Sequence, residues 1–433
     1  MNPEQQHTQE PEHPADLADE IQRLPVKEAV QTIRSLPRER ASTVIAELDR
    51  QAGADILAEL RTDEISALLT DLPHDEAADL VAELPQEQRQ NVLARLVPTE
   101  SAKVAELLHY PEDSAGGIMT DRFIALRMDA TIKECHGTLR QHEEEEYERA
   151  TYLYAVDADN KLVGVVSIRD LVFRNPDRKI MEIMNKDVKY VYVDDDQEKV
   201  AQLFTQYHYM ALPVLETDGR LVGVVEANSV IDVIQEEATE DMHLMVGLTG
   251  EESPNTTWQK SVTKRLPWLY VNLATACMAA TVIGFFESTI ARWTALAVFF
   301  PIIAGQGGNA GMQTMTVIIR GMALGKISGK DYRSVLIKEI ILSLVNGLAV
   351  GIVVGIVGFI WKGSIMFGII ACVAMFLNML AAASSGVLIP YGLKMLKIDP
   401  ALASSIFLTT VTDIGAFLFF LGLAAFVMHF FAV

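Results

Sequence analysis

An aspartate and a threonine share one face of the last apolar segment of the chain. Asp413 and Thr409 are four residues apart, inside a stretch over 401–431 that is long enough to cross a bilayer. A carboxylate there costs roughly 2.5–3.5 kcal/mol even on lenient insertion scales, so it usually faces water, an ion or a partner charge. Carboxylate and hydroxyl oxygens are the ligands that a hard cation prefers. The pair therefore predicts a cation path.

An earlier apolar segment carries a second polar face. Asn309 and Gln313 are again four residues apart, and residues 301–313 also contain a proline and four glycines. These residues permit either close packing of helix backbones or a broken helix whose carbonyls line a cavity. Two polar faces in one small bundle predict a hydrophilic path through a membrane.

The elements that must position these residues are five apolar segments, each long enough to span a bilayer. They cover residues 268–290, 294–319, 335–361, 365–393 and 401–431. With the N-terminus in the cytosol, ten lysines and arginines fall on the inner side, and only Arg292 and Lys362 fall on the outer side. This bias predicts an integral, multi-pass membrane protein with a cytosolic N-terminus and an external C-terminus.

Acidic residues are concentrated before the first span. Of the net charge of −21, residues 1–260 carry −27, from 52 acidic and 25 basic residues, while residues 261–433 carry +6. An acidic soluble part argues against nucleic acid as a partner and favours cations. The three cysteines have no metal-ligand spacing and fit a reducing cytosol. The polar first twenty residues predict no cleavable signal peptide, which keeps the soluble part in the cytosol.

An internal repeat organises the first part of the soluble region. Leucine recurs every twelve residues from Leu24 to Leu108, and proline follows several of these leucines, as in Leu36-Pro37. Proline at a helix start predicts short helices that stack into a superhelix. Asp75 and Asp79 lie one helical turn apart, a spacing that by itself indicates a solvated acidic face.

A second repeat of about sixty residues begins at Ile118 and again at Ile183. Each copy predicts a strand, a polar turn, a second strand and a helix, which resembles a tandem pair of cystathionine-β-synthase (CBS) domains. Such pairs commonly regulate an attached transporter or enzyme, and many bind adenine nucleotides. The resemblance implies one candidate ATP site, formed by Tyr152, Ser167, Arg169 and Asp170. The second copy lacks the aspartate, and a purely structural CBS pair stays open.

With these parts in place, the chain resembles the MgtE family of magnesium channels over nearly its whole length. The motifs that carry the resemblance lie at 113–120, at 307–313 and at Thr412-Asp413. The resemblance implies a mainly α membrane protein with an α+β regulatory part. The implied order is a disordered tail (1–15), a superhelical N domain (16–115), CBS domains (116–180 and 181–238), a plug-like connecting helix (239–264) and a five-helix transmembrane pore domain (265–433).

The resemblance also implies a homodimer whose ion path lies near the twofold axis. Asp413 would bind hydrated Mg²⁺ from both subunits, and Gly305, Gly308 and Asn309 would line or shape the path. Further Mg²⁺ ions would bind at acidic cytosolic interfaces and close the pore. The positions that fit this role are Asp75, Asp79, Asp196, Glu198, Asp232, Glu237 and Glu240.

Two positions depart from the family pattern, since His208 and Ser229 stand where acids are expected. They alter the expected number or affinity of the sensing sites. Mg²⁺ gives up its water reluctantly and usually meets one or two carboxylates, which suits a single aspartate per subunit. Divalent ions between acidic faces would remove their repulsion and favour a closed state.

The sequence thus predicts a non-enzymatic magnesium channel or transporter in a prokaryotic plasma (inner) membrane, with Mg²⁺, lipid and an adenine nucleotide as partners. Three alternatives remain. An intramembrane aspartyl enzyme would need paired carboxylates, and the spans offer one aspartate that suits this role. A nucleotide-sensing scaffold that conducts nothing leaves the two polar faces unexplained. A transporter of Mn²⁺ or Co²⁺ stays open, because no soft ligand is present to select a transition metal.

Overall fold

The computed structural model describes residues 13–140, 152–248, 252, 256–327, 331–402 and 404–431. The chain divides into two compact units, Met1–Val233 and Ile234–Val433. The predicted fold class is confirmed, with short helices first, two small mixed sheets next and long helices last. Of the tail predicted over 1–15, residues 1–12 lie outside the described residues, and Pro14 already begins the first helix.

Short helices fill the N-terminal part of the first unit. They are α1 Pro14–Ile21, α2 Val26–Ser35, α3 Arg38–Ala46, α4 Arg50–Glu59, α5 Thr62–Leu69, α6 His74–Ala82, α7 Gln86–Leu93 and α8 Pro98–Leu107. Alternate helices pack together, as α1 does on α3 and α2 on α4. Leu48, Leu72 and Leu84 lie two or three residues after the ends of α3, α5 and α6. Their backbone nitrogens are 3.2–3.3 Å from the carbonyl oxygen three residues earlier, and their side chains are buried. The twelve-residue repeat therefore marks helix ends that also enter the core.

Two sheets of three strands each form the rest of the first unit. The strands are β1 Ile124–Arg127, β2 Tyr152–Val156, β3 Leu162–Ser167, β4 Val191–Tyr192, β5 Ala211–Leu215 and β6 Leu221–Glu226. In each sheet the first pair is parallel and the second pair antiparallel. The antiparallel pairs enclose the predicted turns, where Asn160 and Gly219 adopt φ angles of 59° and 90°. The accompanying helices are α9 Ile132–Leu139, α10 Ile168–Phe173, α11 Ile180–Ile183 and α12 Gln197–Tyr207.

Long helices make up the second unit. After α13 Ala227–Met245, which begins in the first unit, they are α14 Trp258–Phe285, α15 Glu287–Arg292, α16 Ala295–Ala323, α17 Tyr332–Lys362, α18 Ile365–Met395 and α19 Ser404–Phe431. In the described residues, α14, α17, α18 and α19 are long and apolar enough to cross a membrane. The predicted span over 294–319 forms α16, which has 29 residues but falls outside that group. Its glycines and amides lower its apolarity.

The predicted connecting helix over 239–264 differs from the structure. Helix α13 ends at Met245, because Gly247 adopts a left-handed φ of 79° and the N–H of Leu248 bonds back to the His243 carbonyl at 2.9 Å. This is the glycine-ended helix cap that satisfies the last free carbonyls. Helix α14 then begins at Trp258 and continues through Pro267. A proline within a long membrane helix is tolerated when the freed carbonyl finds other partners.

Three helices surround the core of the second unit. The rings of Phe299, Phe367 and Phe420, from α16, α18 and α19, are fully buried. The Phe299 and Phe367 ring centroids are 4.9 Å apart in an edge-to-face arrangement. Glycines also allow α17 and α18 to approach closely, since a Cβ at Gly355 would lie only 2.9 Å from the Gly368 carbonyl oxygen. This packing fixes the helices that carry the polar residues.

Candidate functional site

The glycines of α16 allow close contact with neighbouring helices. A Cβ at Gly311 would lie 2.7 Å from Leu408 Cδ1 of α19 and 3.2 Å from the Ala382 carbonyl oxygen of α18. Helix α16 runs without interruption from Ala295 to Ala323. Of the two arrangements that the sequence left open, the structure has the close packing and not the broken helix.

One face of α16 is not covered by other parts of the described chain. Asn309 and Gln313 are exposed on this face, one turn apart. Gly305 lies one turn before them, and a Cβ added to it would meet no atom within 4 Å. In a segment placed within a bilayer, such a row of amides needs water or a protein partner. The structure therefore places Gly305, Asn309 and Gln313 on one open surface of α16.

Helix α19 brings its aspartate to the same region. A Cβ at Gly308 of α16 would lie 3.9 Å from the Thr412 hydroxyl oxygen of α19, so these two residues face one another. Asn309 and Asp413 are the next residues along their helices. Asp413 and Thr409 are both half-buried. The Thr409 hydroxyl donates to the Ile406 carbonyl at 3.1 Å, which leaves its oxygen able to accept a further hydrogen bond. The region thus combines carboxylate, hydroxyl and amide oxygens, which are the ligands that a hydrated hard cation prefers.

The first candidate sensing residues lie on α6, beside a small cavity. Its volume is about 60 Å³, and it is lined by Asp75, Ala78, Asp79, Ala82, Arg89, Leu107, Leu108, Tyr110, Glu112, Gly117 and Met119. Asp79 is exposed to solvent as a whole residue, yet enough protein surrounds its carboxylate to disfavour the charged form. This burial, with repulsion from Asp75 and Glu112, outweighs the attraction of Arg50 and raises the pKa of Asp79 to about 7. A cation in the cavity would have to compete with that proton.

The remaining sensing candidates do not converge within one chain. Asp196 caps α12, where its Oδ1 accepts from the Glu198 N–H at 2.8 Å. Asp232, Glu237 and Glu240 follow one another along α13. Within the described ranges, no group of three or more Asp, Glu, His or Cys side chains is arranged to hold a metal ion. A metal ion bound by these acids would therefore need further ligands from water or from a second chain.

Asp241, a half-buried acid near the end of α13, was not singled out as a ligand by sequence. Burial, and then the nearby Asp399 carboxylate, raise the pKa of Asp241 to about 6, and the Arg320 guanidinium opposes them. Asp399 precedes α19, and Arg320 belongs to the last turn of α16. The end of α13 therefore lies in an electrostatic environment set by the ends of both path helices. Sequence could give the acids but not their proximity.

The candidate nucleotide residues are brought together by the first sheet. Tyr152 begins β2 and pairs in register with Ser167, the last residue of β3. The Ser167 hydroxyl donates to Asp170 Oδ2 at 2.8 Å, and Arg174 Nε donates to Asp170 Oδ1 at 2.8 Å. Hydrogen bonds from Arg174 and then Ser167 lower the pKa of Asp170, so it is ionised at neutral pH. Arg169 is exposed next to these residues. The four residues could bind a ribose and a phosphate only if the ribose hydroxyls took the place of Arg174 as donors to Asp170.

Two polar residues of the membrane helices were missed. Asn378 of α18 is fully buried and donates to the Ile303 carbonyl at 3.0 Å. Glu339 of α17 is 4 % exposed and accepts from the Thr314 hydroxyl at 3.0 Å. The signal was present, because each is a polar residue in an apolar segment, as Asp413 is.

Comparisons with known proteins agree in their domain order. The family model described as a divalent cation transporter (MgtE) matches residues 300–423, the MgtE intracellular N domain model matches 12–113, and the CBS domain model matches 115–175 and 180–236. The magnesium transporter MgtE of Enterococcus faecalis is 35 % identical over 332 residues, which are 77 % of this chain and 73 % of that protein. The transporter of the same name from Thermus thermophilus is 36 % identical over 336 residues, covering 76 % and 73 %.

Two solved structures each match about half of this chain. The cytosolic domain of the Mg²⁺ channel MgtE in complex with ATP is 34 % identical, with a TM-score of 0.47, and covers 52 % of this chain and 91 % of its own. The soluble part of a magnesium transporter is 32 % identical, with a TM-score of 0.40, and covers 52 % and 93 %.

Proposed function

This chain belongs to the MgtE family of magnesium transporters, and from that premise we propose that it carries Mg²⁺ across the membrane as a channel for uptake. The observation that supports this most directly is the pairing of Asp413 and Thr409 on α19 with the open face of α16 that bears Asn309 and Gln313. A hydrated Mg²⁺ meets few protein carboxylates and many waters or neutral oxygens. The family consists of transporters, and no catalytic step is assigned to any residue.

The protein is a multi-pass membrane protein, and we place five spans in the bilayer. Helix α16 is the fifth, because 29 residues at 1.5 Å each exceed the hydrocarbon thickness. The excess of Lys and Arg on the inner side favours a cytosolic N-terminus and an external C-terminus. Because the relatives reported above are bacterial, we place these spans in a prokaryotic inner membrane. The polar residues of α16 are compatible with a span that lines water instead of lipid.

A second copy of the chain completes the path in this proposal. The α16 face carrying Gly305, Asn309 and Gln313 is uncovered in one protomer, and amides facing lipid would be costly. In a twofold homodimer, equivalent faces meet. Two copies of Asp413 would then flank one path, and each would contact the hydration shell of the same ion.

Cytosolic Mg²⁺ closes the path by binding to the acidic residues. Asp75, Asp79 and Glu112 repel one another around the α6 cavity, and the remaining candidates Asp196, Glu198, Asp232, Glu237 and Glu240 lie on α12 and α13. A divalent ion stabilises the conformation in which these carboxylates are closest, because it binds that state more tightly. This differential binding gives negative feedback on uptake.

An adenine nucleotide is the second regulator that we propose. Tyr152, Ser167 and Asp170 are neighbours across β2, β3 and the start of α10, and Arg169 is exposed next to them. The hydroxyls of a ribose would replace Arg174 as the donors to Asp170. Asp170→Ala should abolish ATP binding, measured by calorimetry on the whole protein, while Mg²⁺ flux without ATP is retained.

Transport is tested with the purified protein in liposomes that contain a fluorescent Mg²⁺ indicator. We expect Mg²⁺ entry that falls as Mg²⁺ on the cytosolic face rises, and that disappears in Asp413→Ala. Mn²⁺ and Co²⁺ are measured in parallel, because entry of these ions without Mg²⁺ would assign a different cargo. A folded protein that passes no divalent ion at low Mg²⁺ would leave a sensor or scaffold and reject transport.

A further inference from the structure

Two buried polar side chains contact α16 on the side away from its open face. Asn378 Nδ2 of α18 donates to the carbonyl of Ile303, and Glu339 Oε2 of α17 accepts from the hydroxyl of Thr314, each at 3.0 Å. These two positions on α16 are eleven residues apart, or about 16 Å along the helix axis. Asn309 and Gln313 lie between them in sequence. The hydrogen bonds therefore hold both ends of the segment that carries the open face.

Packing alone does not account for these side chains. Asn378 is fully buried, and its Oδ1 has no hydrogen-bond partner in the part of the chain that the structure describes. An unsatisfied buried acceptor costs roughly 1–3 kcal/mol, and a leucine of similar size would avoid that cost. Glu339 is a carboxylate at 4 % exposure, and its Oε1 is 3.4 Å from Lys338 Nζ. What both residues contribute is a directional bond to α16.

Asn378 also lies between the two helices of the proposed path. A Cβ at Gly307 would be 2.1 Å from Asn378 Nδ2, and a Cβ at Gly415 would be 3.1 Å from its Oδ1. Gly307 is two residues before Asn309 on α16, and Gly415 is two residues after Asp413 on α19. A single amide thus fills the space between the glycine-rich stretch and the aspartate helix. Its size and direction set the separation of the two.

We infer that Asn378 and Glu339 are positioning residues for the ion path: they fix the rotation and axial position of α16 so that Asn309 and Gln313 face the path beside Asp413. Neither residue contacts the ion. The inference rests on the proposed transport function, but the orientation of α16 can be measured without any transport.

The first test measures which face of α16 is open. Gln313→Cys and Met315→Cys are introduced separately into a protein without its three native cysteines and labelled with a small cationic thiol reagent. Gln313 is exposed and Met315 is fully buried, so the first should react much faster. Asn378→Leu or Thr314→Val should reduce this contrast about fivefold, because the lost hydrogen bond is worth about 1 kcal/mol.

Matched controls come from the same two supporting helices. The Ser384 hydroxyl of α18 donates to Leu380 and the Ser343 hydroxyl of α17 donates to Ile340, each at 2.8 Å and within its own helix. Ser384→Ala and Ser343→Ala should leave the labelling contrast unchanged. Glu339→Gln keeps an acceptor for Thr314 and should also retain it. Thr314→Val preserves side-chain volume, so it provides the test even where Asn378→Leu fails to fold.

Flux provides the second measurement. In Asn378→Leu and Thr314→Val we expect a several-fold higher Mg²⁺ concentration for half-maximal flux and weaker discrimination against Ca²⁺. A merely structural role would lower the amount of folded protein without moving either quantity. An unchanged labelling contrast in both variants overturns the inference, whatever the flux. Parent protein that conducts no Mg²⁺ would instead reject the proposed function and leave the labelling result to decide the orientation of α16.

Discussion

Glu64 in the first unit and Asp413 in the second carry the same functional group in opposite surroundings. Glu64 accepts two hydrogen bonds from Arg34 at 2.9 Å and one from the Arg61 N–H at 2.8 Å, and its pKa falls to about 2. Asp413 lies half-buried among apolar helices, and within the described residues it has no ion pair. If the proposed function holds, a carboxylate satisfied by protein donors serves the fold, whereas one without a partner in apolar surroundings remains available to a passing ion.

Asp79 occupies an intermediate position between these two. Its carboxylate is crowded by protein and by other acids, which raises its pKa to about 7, yet it remains in the water-exposed unit. A group that is poised between its charged and neutral forms near neutral pH responds to both protons and cations. The surroundings of a carboxylate thus separate three roles, which the following substitutions should rank.

The largest effect is expected from the carboxylate without a partner. Asp413→Asn keeps the shape of the side chain and removes its charge. Loss of one charge-assisted contact per subunit, at about 1.5–3 kcal/mol each, should lower Mg²⁺ flux at least about 100-fold. Flux in liposomes is compared with that of Glu287→Gln, which removes an exposed acid from the same unit. Equal flux in the two variants would contradict the role assigned to Asp413.

A smaller effect is expected from the hydroxyl one turn earlier. Thr409→Val preserves volume and removes an oxygen that can accept from a hydrated ion, so Mg²⁺ flux should fall about fivefold for a bond of about 1 kcal/mol. Thr410→Val is the matched control. Its hydroxyl donates at 2.6 Å to the same Ile406 carbonyl. Stopped-flow flux measurements that show equal losses in both variants would assign the effect to helix packing instead.

The crowded acid should respond to pH in a defined direction. Because the folded protein raises the pKa of Asp79 from 3.8 to about 7, the folded state binds the extra proton between these values, and stability falls as pH rises through this window. Asp79→Asn should therefore match the parent below about pH 4 and exceed its thermal stability above about pH 7. Added Mg²⁺ should stabilise the parent by offsetting the repulsion between Asp79 and its acidic neighbours, and so reduce the difference between the two proteins.

The thermal unfolding of the whole protein in detergent, followed at several pH values, checks this prediction. Glu87→Gln on α7 is the control, because this exposed acid lies outside the cavity lining. If the difference in thermal stability between Asp79→Asn and the parent did not change with pH, Asp79 would not be the group that binds the extra proton in the folded state.

The smallest effect is expected from the satisfied pair. Arg34→Gln breaks an exposed bidentate ion pair, so urea unfolding of the first unit should become easier by only about 0.2–1 kcal/mol. The low pKa of Glu64 means that its stabilising contribution is present above pH 4.5 and is lost as pH falls towards 2. A double-mutant cycle with Glu64→Gln isolates the pair. A loss as large as that of a core substitution would overturn the contrast with Asp413.

Sequence patterns predicted those features that depend on local spacing. The leucine repeat predicted the short helices, because Leu72 and Leu84 each follow closely on a helix end and enter the core. The row of Asn309 and Gln313 predicted an open polar face, because residues four apart share one side of any helix. The CBS pair followed from two copies of one strand pattern.

Features that depend on contacts between distant segments were not predictable in the same way. Asn378 and Glu339 became informative only when Ile303 and Thr314 were found opposite them. The end of α13 was missed because Gly247 does not reveal by its identity that it adopts a left-handed conformation. Whether a polar residue in an apolar span contacts an ion path or another helix is decided by which neighbour it faces.

The left-handed turn at Gly247 has a mechanical consequence. A continuous helix from α13 into α14 would transmit a push along its axis, as a rod does, but the backbone turns away before α14 begins. In the proposed mechanism, movement of α13 would therefore reach the path sideways, through the apolar cluster that Leu244 shares with Leu408 of α19 and Met315 of α16. A sideways contact transmits displacement only while the surfaces stay packed. In the proposed mechanism, looser packing of this small apolar cluster would therefore separate Mg²⁺ binding at the acidic residues from closure of the path.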